Sequence, residues 1–370
     1  MIDAADIHRL PFFRGLSPAK LEDALQVLMP SEIPPGQVLM VEGESDRSML
    51  IVMDGELSVR VGRTQTEIAR LGRGEIVGEM ALFGVLDRRS ATVLTRMPTR
   101  ILLLDLQAAQ HLRRKRSPVI QVLEEHALLT MARRLRMTQA RIGHLAAGGE
   151  LPAEPQVGVF RRLGSVFGLG GGSTPPMPDP AVVVASSPIF RDQDPQVVAR
   201  LGRGREIFFV SPGQRVMTEG EQGGDCFLVA SGQVDSFRAT GTGHHERIGR
   251  VREGGLFGVI SMVDGGPRSC SCIAMQPGWI VRMPSWLLIG HADITPHEVG
   301  IFRRATIEAL AAQLRLANAH VEYLEQLVQD AAMRQQTPES WVRSPEDSER
   351  ASEGLSMPSL TPRYGEPDRR

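Results

Sequence analysis

The chain has 370 residues, enough for two domains of about 150 residues with length left over. Its 42 lysines and arginines against 43 aspartates and glutamates leave a formal charge of −1, which excludes a uniformly basic nucleic-acid binder and an acidic solvating chain. With 42% hydrophobic and 23% charged residues, most of the chain can bury a core. Cys226, Cys270 and Cys272 are too few for a disulfide scaffold. The start, Met1-Ile2-Asp3-Ala4, lacks the basic-then-apolar pattern of a secretory signal, and no apolar run approaches the ~18 residues of a membrane span. We therefore expect a cytoplasmic chain with reduced thiols.

In chain order, a first helix is predicted from Ser17-Pro18, with serine at the cap and proline at the first helical position. Apolar or alternating runs at 38–41, 49–53, 56–61 and 101–104 are of strand length. Glycine, proline and aspartate turns punctuate them, the pattern of a β-barrel or jelly roll. A long helix opens at Ser117-Pro118 and runs to about Ala147, where Gly148-Gly149 stop it. Residues 148–180, rich in glycine, proline and serine, are expected to form a flexible linker, and 334–370 a disordered tail.

The chain also repeats itself. Pro11-Phe12-Phe13-Arg14 recurs as Pro188-Ile189-Phe190-Arg191, Pro35-Gly36-Gln37 as Pro212-Gly213-Gln214, and Gly55 as Gly232, each 177 residues downstream. Three blocks in one register identify a duplicated domain of roughly 145 residues. The expected organisation is a first copy at 1–147, the linker, a second copy at 181–333 and the tail. The expected fold is α+β: two tandem β-jelly-roll barrels, each with flanking helices and a long C-terminal helix.

One segment of the first copy carries chemistry. Gly74-Glu75-Ile76-Val77-Gly78-Glu79-Met80-Ala81-Leu82-Phe83 precedes Arg88-Arg89-Ser90-Ala91-Thr92-Val93. A glycine permits close backbone approach, the short turn after it offers free N–H donors to an anion, and an arginine can clamp that anion with parallel hydrogen bonds. Glu79 beside an anion requires a ligand that also carries a hydroxyl donor, as a ribose does. Arg88, on the other face, is expected to point to solvent.

This stretch resembles the phosphate-binding cassette of the cyclic nucleotide-binding domain family, which includes catabolite activators and regulatory subunits of cyclic-AMP-dependent kinase. The resemblance covers both copies, about 8–146 and 185–333. It implies that Gly78, Met80 and Ala81 line the cyclic phosphate, that Glu79 holds the ribose 2′-hydroxyl, and that Arg89 and Ser90 hold the phosphate charge. Val77 departs from the family's usual phenylalanine. The run Ala132-Arg133-Arg134-Leu135-Arg136-Met137-Thr138-Gln139 resembles the activators' long helix, so Thr138 is implied as the reader of the adenine amino group and Gln139 as a second polar reader.

Leu128, Met131, Leu135, Thr138, Ile142 and Leu145 follow the three- and four-residue steps of a coiled-coil seam. Ile307, Leu310, Leu314, Ala317, Val321, Leu324, Val328 and Ala331 continue the pattern in the second copy. Two seams permit a homodimer or an in-chain pairing of the copies; a homodimer through the long helices is expected. In the second copy Gly258, Arg268 and Ser269 remain as candidates for a second site, but Val259 replaces the glutamate and Ala317 the threonine. A lost buried acceptor costs ~1–3 kcal/mol, roughly ten- to a hundredfold in affinity. The second copy is thus expected to be structural, or a site for a different anion.

Cys270 and Cys272 are expected to be buried small residues rather than metal ligands. No catalytic constellation or cofactor motif is present. The expected function is sensing of a cyclic nucleotide, cyclic AMP first, with relay through helix rearrangement to an unidentified protein partner. Two alternatives stand beside it. One is a degenerate tandem scaffold or dimerisation protein, binding another nucleotide such as cyclic di-GMP. The other is a nucleic-acid binder using His111-Leu112-Arg113-Arg114-Lys115-Arg116 with Arg133, Arg134 and Arg136. DNA and membrane are not expected partners, although 157–167 has one apolar helical face.

Overall fold

Short alternating strands closed by glycine turns build one barrel twice. The computed structural model describes residues 4–62, 65–84, 88–148, 175–241, 243–292 and 294–336. The linker expected at 148–180 falls mostly outside these residues, as do the tail beyond 336 and the stretch 157–167. The first copy consists of α1 (Ala4–His8), a 3₁₀ turn (Pro11–Phe13), α2 (Pro18–Leu25), β1 (Met29–Ile33), β2 (Val38–Met40), β3 (Ser48–Asp54), β4 (Leu57–Val61), β5 (Thr66–Leu71), β6 (Ile76–Val77), α3 (Glu79–Phe83), β7 (Thr92–Thr95), β8 (Thr99–Asp105), α4 (Leu106–Arg114) and α5 (Pro118–Gly148). The second repeats it as α6 (Pro180–Ser186), a 3₁₀ turn (Pro188–Phe190), α7 (Pro195–Gly202), β9 (Ile207–Val210), β10 (Arg215–Met217), β11 (Cys226–Val229), β12 (Gln233–Ala239), β13 (His245–Arg252), β14 (Leu256–Phe257), α8 (Val259–Asp264), β15 (Ser271–Ala274), β16 (Gly278–Met283), α9 (Trp286–Ile289) and α10 (Pro296–Gln336).

The sheets correspond strand for strand. In the first copy the orders are β1-β8-β3-β6 and β2-β7-β4-β5; in the second they are β9-β16-β11-β14 and β10-β15-β12-β13. The pairings are antiparallel, so the fold is the expected pair of jelly-roll barrels. The inner faces close over Met40, Leu50, Val52, Leu57, Val59, Leu71, Val77, Val93 and Ile101 in the first copy. At about 25 cal/mol per Å² of apolar surface, that burial is what holds the barrel together.

Gly55 and Gly232 occupy the same β-turn with φ of 93° and 88°. A Cβ at Gly55 would stand 2.6 Å from Thr99 Oγ1 and 2.7 Å from the Pro98 carbonyl, and one at Gly232 2.8 Å from the Pro277 carbonyl. The left-handed backbone and the close approach both require glycine.

The long helix begins as expected: Ser117 Oγ accepts the Val119 N–H at 3.3 Å, and Pro118 takes the first helical position. By contacts the chain forms two units, 1–325 and 326–370. Both barrels, α5 and most of α10 lie in the first. Within it α5 packs on α2, α3 and α4 of its own copy and on α8, β12 and β13 of the other. Leu123, Ala127, Leu128, Met131, Leu135 and Ile142 are buried. The seam of α10 is buried from Ile307 to Leu324. Glu125 pairs with Arg303 at 2.7 Å and Arg141 with Glu325, so the helices run parallel. Two ion pairs thus join the long helices within one chain. In the second unit α10 continues through Gln326–Gln336, where Val328 and Ala331 are exposed.

Gly55→Ala should lower unfolding stability by at least about 1–3 kcal/mol, the cost of a forced left-handed conformation, with Gly232→Ala behaving alike in urea titration. A second outcome concerns His126, stacked on Phe12 with ring centroids 4.3 Å apart. Burial pushes its imidazole below the ordinary 6.5; Arg133 and Arg134 push the same way, against a hydrogen bond to the Gly74 backbone. Folding therefore favours the neutral ring, a contribution complete above pH 6.5 and lost as pH falls below it. His126→Phe, which keeps a stacked ring, should flatten that part of the stability–pH curve.

Candidate functional site

The site is assembled by the short step from β6 into α3. Gly78 caps α3 with φ of 91°, and a Cβ there would stand 2.4 Å from the Ser48 carbonyl and 2.7 Å from Arg89 Nη1. Only glycine allows the cassette backbone to lie so close to the arginine. The turn that follows buries Glu79 completely, together with Met80 and Ala81. The N–H groups of Ala81 and Leu82 donate to the Gly78 carbonyl at 3.2 and 3.1 Å. Arg47 pins the far end, donating to the carbonyls of Ala81 and Gly84 at 3.1 and 3.2 Å.

Two charges lie buried here. Glu79 Oε1 accepts from Arg134 Nη1 at 2.7 Å, and Arg134 Nη2 donates to the Ile76 carbonyl at 2.9 Å. Arg89 donates from Nη1 to the Ser48 carbonyl at 2.6 Å and from Nη2 to Ser48 Oγ at 2.8 Å, and pairs with Asp46. Burial would raise the Asp46 pKa, but hydrogen bonds from Arg89 and Ser48 hold it below 3.8. Glu79 Oε2 and Arg89 Nε remain buried with no hydrogen-bond partner. A buried acceptor and a buried donor left unpaired are costly unless something else completes them. Ser90 Oγ lies 3.6 Å from Met80 Sδ. Arg88 is exposed as expected and reaches the Gly43 carbonyl at 3.2 Å.

Asp46, Ser48 and Arg134 were not singled out for these roles in the sequence. Arg134 lies one helical turn before Thr138, so its position on the cassette side of α5 was available from helical spacing. Thr138 Oγ1 donates to the Arg134 carbonyl at 2.9 Å. Gln139, expected to read the same base as Thr138, instead lines a cleft of the second copy. One residue along a helix turns the side chain by about 100°, which carries it across to the other barrel.

That crossing is fastened by Arg136. It grips Asp264 with two bonds of 2.7 and 2.8 Å and the Pro267 carbonyl at 2.7 Å. Gly143 lets α5 approach β12: a Cβ there would stand 3.0 Å from Arg238 Cγ and 3.2 Å from the Ala239 carbonyl. The contact is reciprocal, since a Cβ on Gly84 would stand 3.3 Å from Ala311 Cβ of α10.

In the second copy Gly258 also caps its short helix, with φ of 75°. Arg268 Nη1 donates to the carbonyls of Asp225 and Gly258 and to Ser261 Oγ at 2.7, 3.0 and 2.7 Å. Its guanidinium lies over the Phe227 ring at 5.6 Å. Val259 is buried where the first copy has Glu79. Ser269, Cys270 and Cys272 line the cleft beside Gln139. All three cysteines are free and buried, and the described residues hold no cluster of three metal-ligating side chains. Within the basic stretch Arg113, Arg134 and Arg136 pair with Glu124, Glu79 and Asp264. Among the described residues no helix is long and apolar enough to cross a membrane.

The sequence model of the cyclic nucleotide-binding domain matches residues 30–116 and again 207–286. A cyclic nucleotide-gated potassium channel of Rhizobium etli is 36% identical over 84 residues, 23% of this chain and 22% of that protein. The cyclic AMP receptor protein of Thermus thermophilus is 27% identical over 141 residues, 37% of this chain and 62% of its own. The chain thus spans less than a quarter of the first relative and under two thirds of the second. Among solved structures, the regulatory domain of Toxoplasma gondii PKA with cyclic AMP is 15% identical, with 77% of this chain and 89% of that one covered and a TM-score of 0.27.

Arg136→Ala should destabilise the joint by about 1–3 kcal/mol, below the cost of breaking a fully buried pair because Arg136 is partly solvated. Burial alone would raise the Asp264 carboxyl, but the hydrogen bonds from Arg136 hold it below 3.8. The contribution is complete above pH 3.8 and lost as pH falls below it, so the wild-type and Arg136→Ala denaturation curves should converge there.

Proposed function

Because this chain belongs to the cyclic nucleotide-binding domain family and carries that domain twice, we propose that its first copy is a cyclic AMP sensor. The observation that carries this reading is the pair of buried, unpartnered atoms, Glu79 Oε2 and Arg89 Nε. A cyclic nucleotide meets both, with a ribose 2′-hydroxyl donating to the glutamate and the ring phosphate accepting from the arginine. Asp46, half-exposed, is the group the phosphate would displace.

Thr138 supports adenine. Its hydroxyl proton is used on the Arg134 carbonyl, which leaves lone pairs to accept from an amino group rather than a proton to offer a guanine carbonyl. Relay follows from the same helix. Ligand on Glu79 alters what Arg134 holds, Arg134 sits on α5, and α5 is tied by Arg136 to the second copy. The protein so read is a binding and regulatory chain rather than an enzyme, acting on a protein partner.

A second reading, a scaffold with a permanently closed cassette, is favoured by the ion pairs that Arg89 and Glu79 already make. Calorimetry separates the two. Cyclic AMP should bind, and Arg89→Leu should lose about 2–5 kcal/mol, the cost of removing one partner of a buried charge pair. Glu79→Gln should lose roughly ten- to a hundredfold, while 2′-deoxy cyclic AMP should bind wild type and Glu79→Gln alike. No binding would establish the scaffold instead, and a Glu79→Gln protein as tight as wild type would overturn the role given to Glu79.

A further inference from the structure

Two of the three cysteines stand together. Cys270 and Cys272 lie two residues apart at the start of β15, where alternate side chains share a face, and both line the cleft beneath α5. Their thiols hydrogen-bond to each other, and Ser236 Oγ lies 3.2 Å from Cys272 Sγ. Cys226 is placed differently: it is fully buried on β11 and forms no part of the cleft wall. The fold itself does not require sulfur at the paired positions. Arg268-Ser269-Cys270-Ser271-Cys272 matches Arg89-Ser90-Ala91-Thr92-Val93 of the first copy, where alanine and valine fill the two places. The pair is reduced, and it belongs to no metal-ligating cluster among the described residues.

Two thiols in contact react as a unit. The hydrogen bond from Cys272 lowers the Cys270 thiol below its ordinary value against the cost of burial, and Ser269 and Ser236 help while Glu219 opposes. The Cys272 proton is held correspondingly harder by that same bond and by burial, with Arg268 drawing the other way. Burial pushes the Cys226 thiol up. The thiolate is the reactive form, so the pair and not Cys226 is the place of attack. We propose that Cys270 and Cys272 form a reversible dithiol–disulfide couple that reacts with hydroperoxides. With hydrogen peroxide, the Cys270 thiolate attacks one oxygen and the O–O bond breaks. Cys270 becomes a sulfenic acid, and the departing hydroxide takes up the thiol's proton as water. The Cys272 sulfur then attacks Cys270 Sγ, and the sulfenic oxygen leaves with the Cys272 proton as a second water. Two thiols have lost two electrons and two protons, and one peroxide has become two waters. Alternate strand residues stand about 6.5 Å apart at Cα, near the upper limit a disulfide spans, so the bond is strained and readily reduced by small thiols. The inference does not rest on the reading of the first copy, whose cassette holds neither thiol.

The test is a hydrogen peroxide titration of the full chain, read by intact mass and by thiol counting after denaturation. The chain should lose two of its three thiols and two hydrogens of mass, with the bridge mapped by peptide mass to Cys270 and Cys272. Dithiothreitol should restore all three thiols. Cys226 should be oxidised at least about tenfold more slowly than the pair. Cys270→Ala and Cys272→Val, the residues of the first copy, should each abolish the loss of two hydrogens, and in Cys272→Val the Cys270 sulfenic acid should be trapped by dimedone. The wild-type titration decides the matter even if a variant fails to fold. Three thiols surviving a peroxide concentration that oxidises free glutathione would overturn the proposal. So would Cys226 reacting as fast as the pair, a bridge that joins two chains, or oxygen added to Cys270 while Cys272 stays a free thiol.

Discussion

One turn of α5 carries the constraint on which the rest depends. Arg134 and Arg136 stand two residues apart, on either side of the fully buried Leu135, and point to different barrels. Arg134 holds the buried glutamate of the first cassette; Arg136 holds the aspartate that ends the second. Neither cassette can shift against α5 without breaking charge-assisted bonds in a partly desolvated site, where such bonds are strong. The pairing of α5 with α10 completes the frame, since each long helix lies against the other copy's cassette.

Against that shared frame the copies differ in charge rather than in topology. Their strand orders are the same and their cassette glycines adopt the same left-handed turn. In the first, an arginine and a glutamate are buried with one atom each unmatched. In the second, the arginine donates through Nη1 to two carbonyls and a serine hydroxyl, and valine fills the glutamate's place. Burying an unpaired polar atom costs free energy, so it persists where something pairs with it. Among the described residues the second cassette carries no such buried, unpartnered glutamate or arginine atom.

Much of this was legible in the sequence, for physical reasons. Strands such as Thr99–Asp105 and the turns at Gly55 and Gly232 are dictated by local pattern and backbone conformation, so they stand within a residue or two of expectation. Gly78 lies against Arg89 and is followed directly by Glu79, because the cassette and the following loop are a short, local unit. What was not legible depends on contacts between distant segments. Glu79 and Arg134 are 55 residues apart, Asp46 and Arg89 43. A heptad seam states that a helix will be covered without stating by what, so the packing of α5 on the second copy was not specified by it. That Gln139 lines a cleft of the second copy, one residue after Thr138, likewise depends on the packing of α5 between the two barrels.

The central claim is that one copy of the duplicated domain takes the cyclic phosphate and the other does not. Counting cyclic AMP bound to the intact chain by native mass spectrometry tests it most directly. The account predicts a single bound molecule per chain, even at concentrations well above the first dissociation constant. Two molecules bound with comparable affinity would contradict it, because the second would occupy a cassette in which valine stands in the glutamate's place.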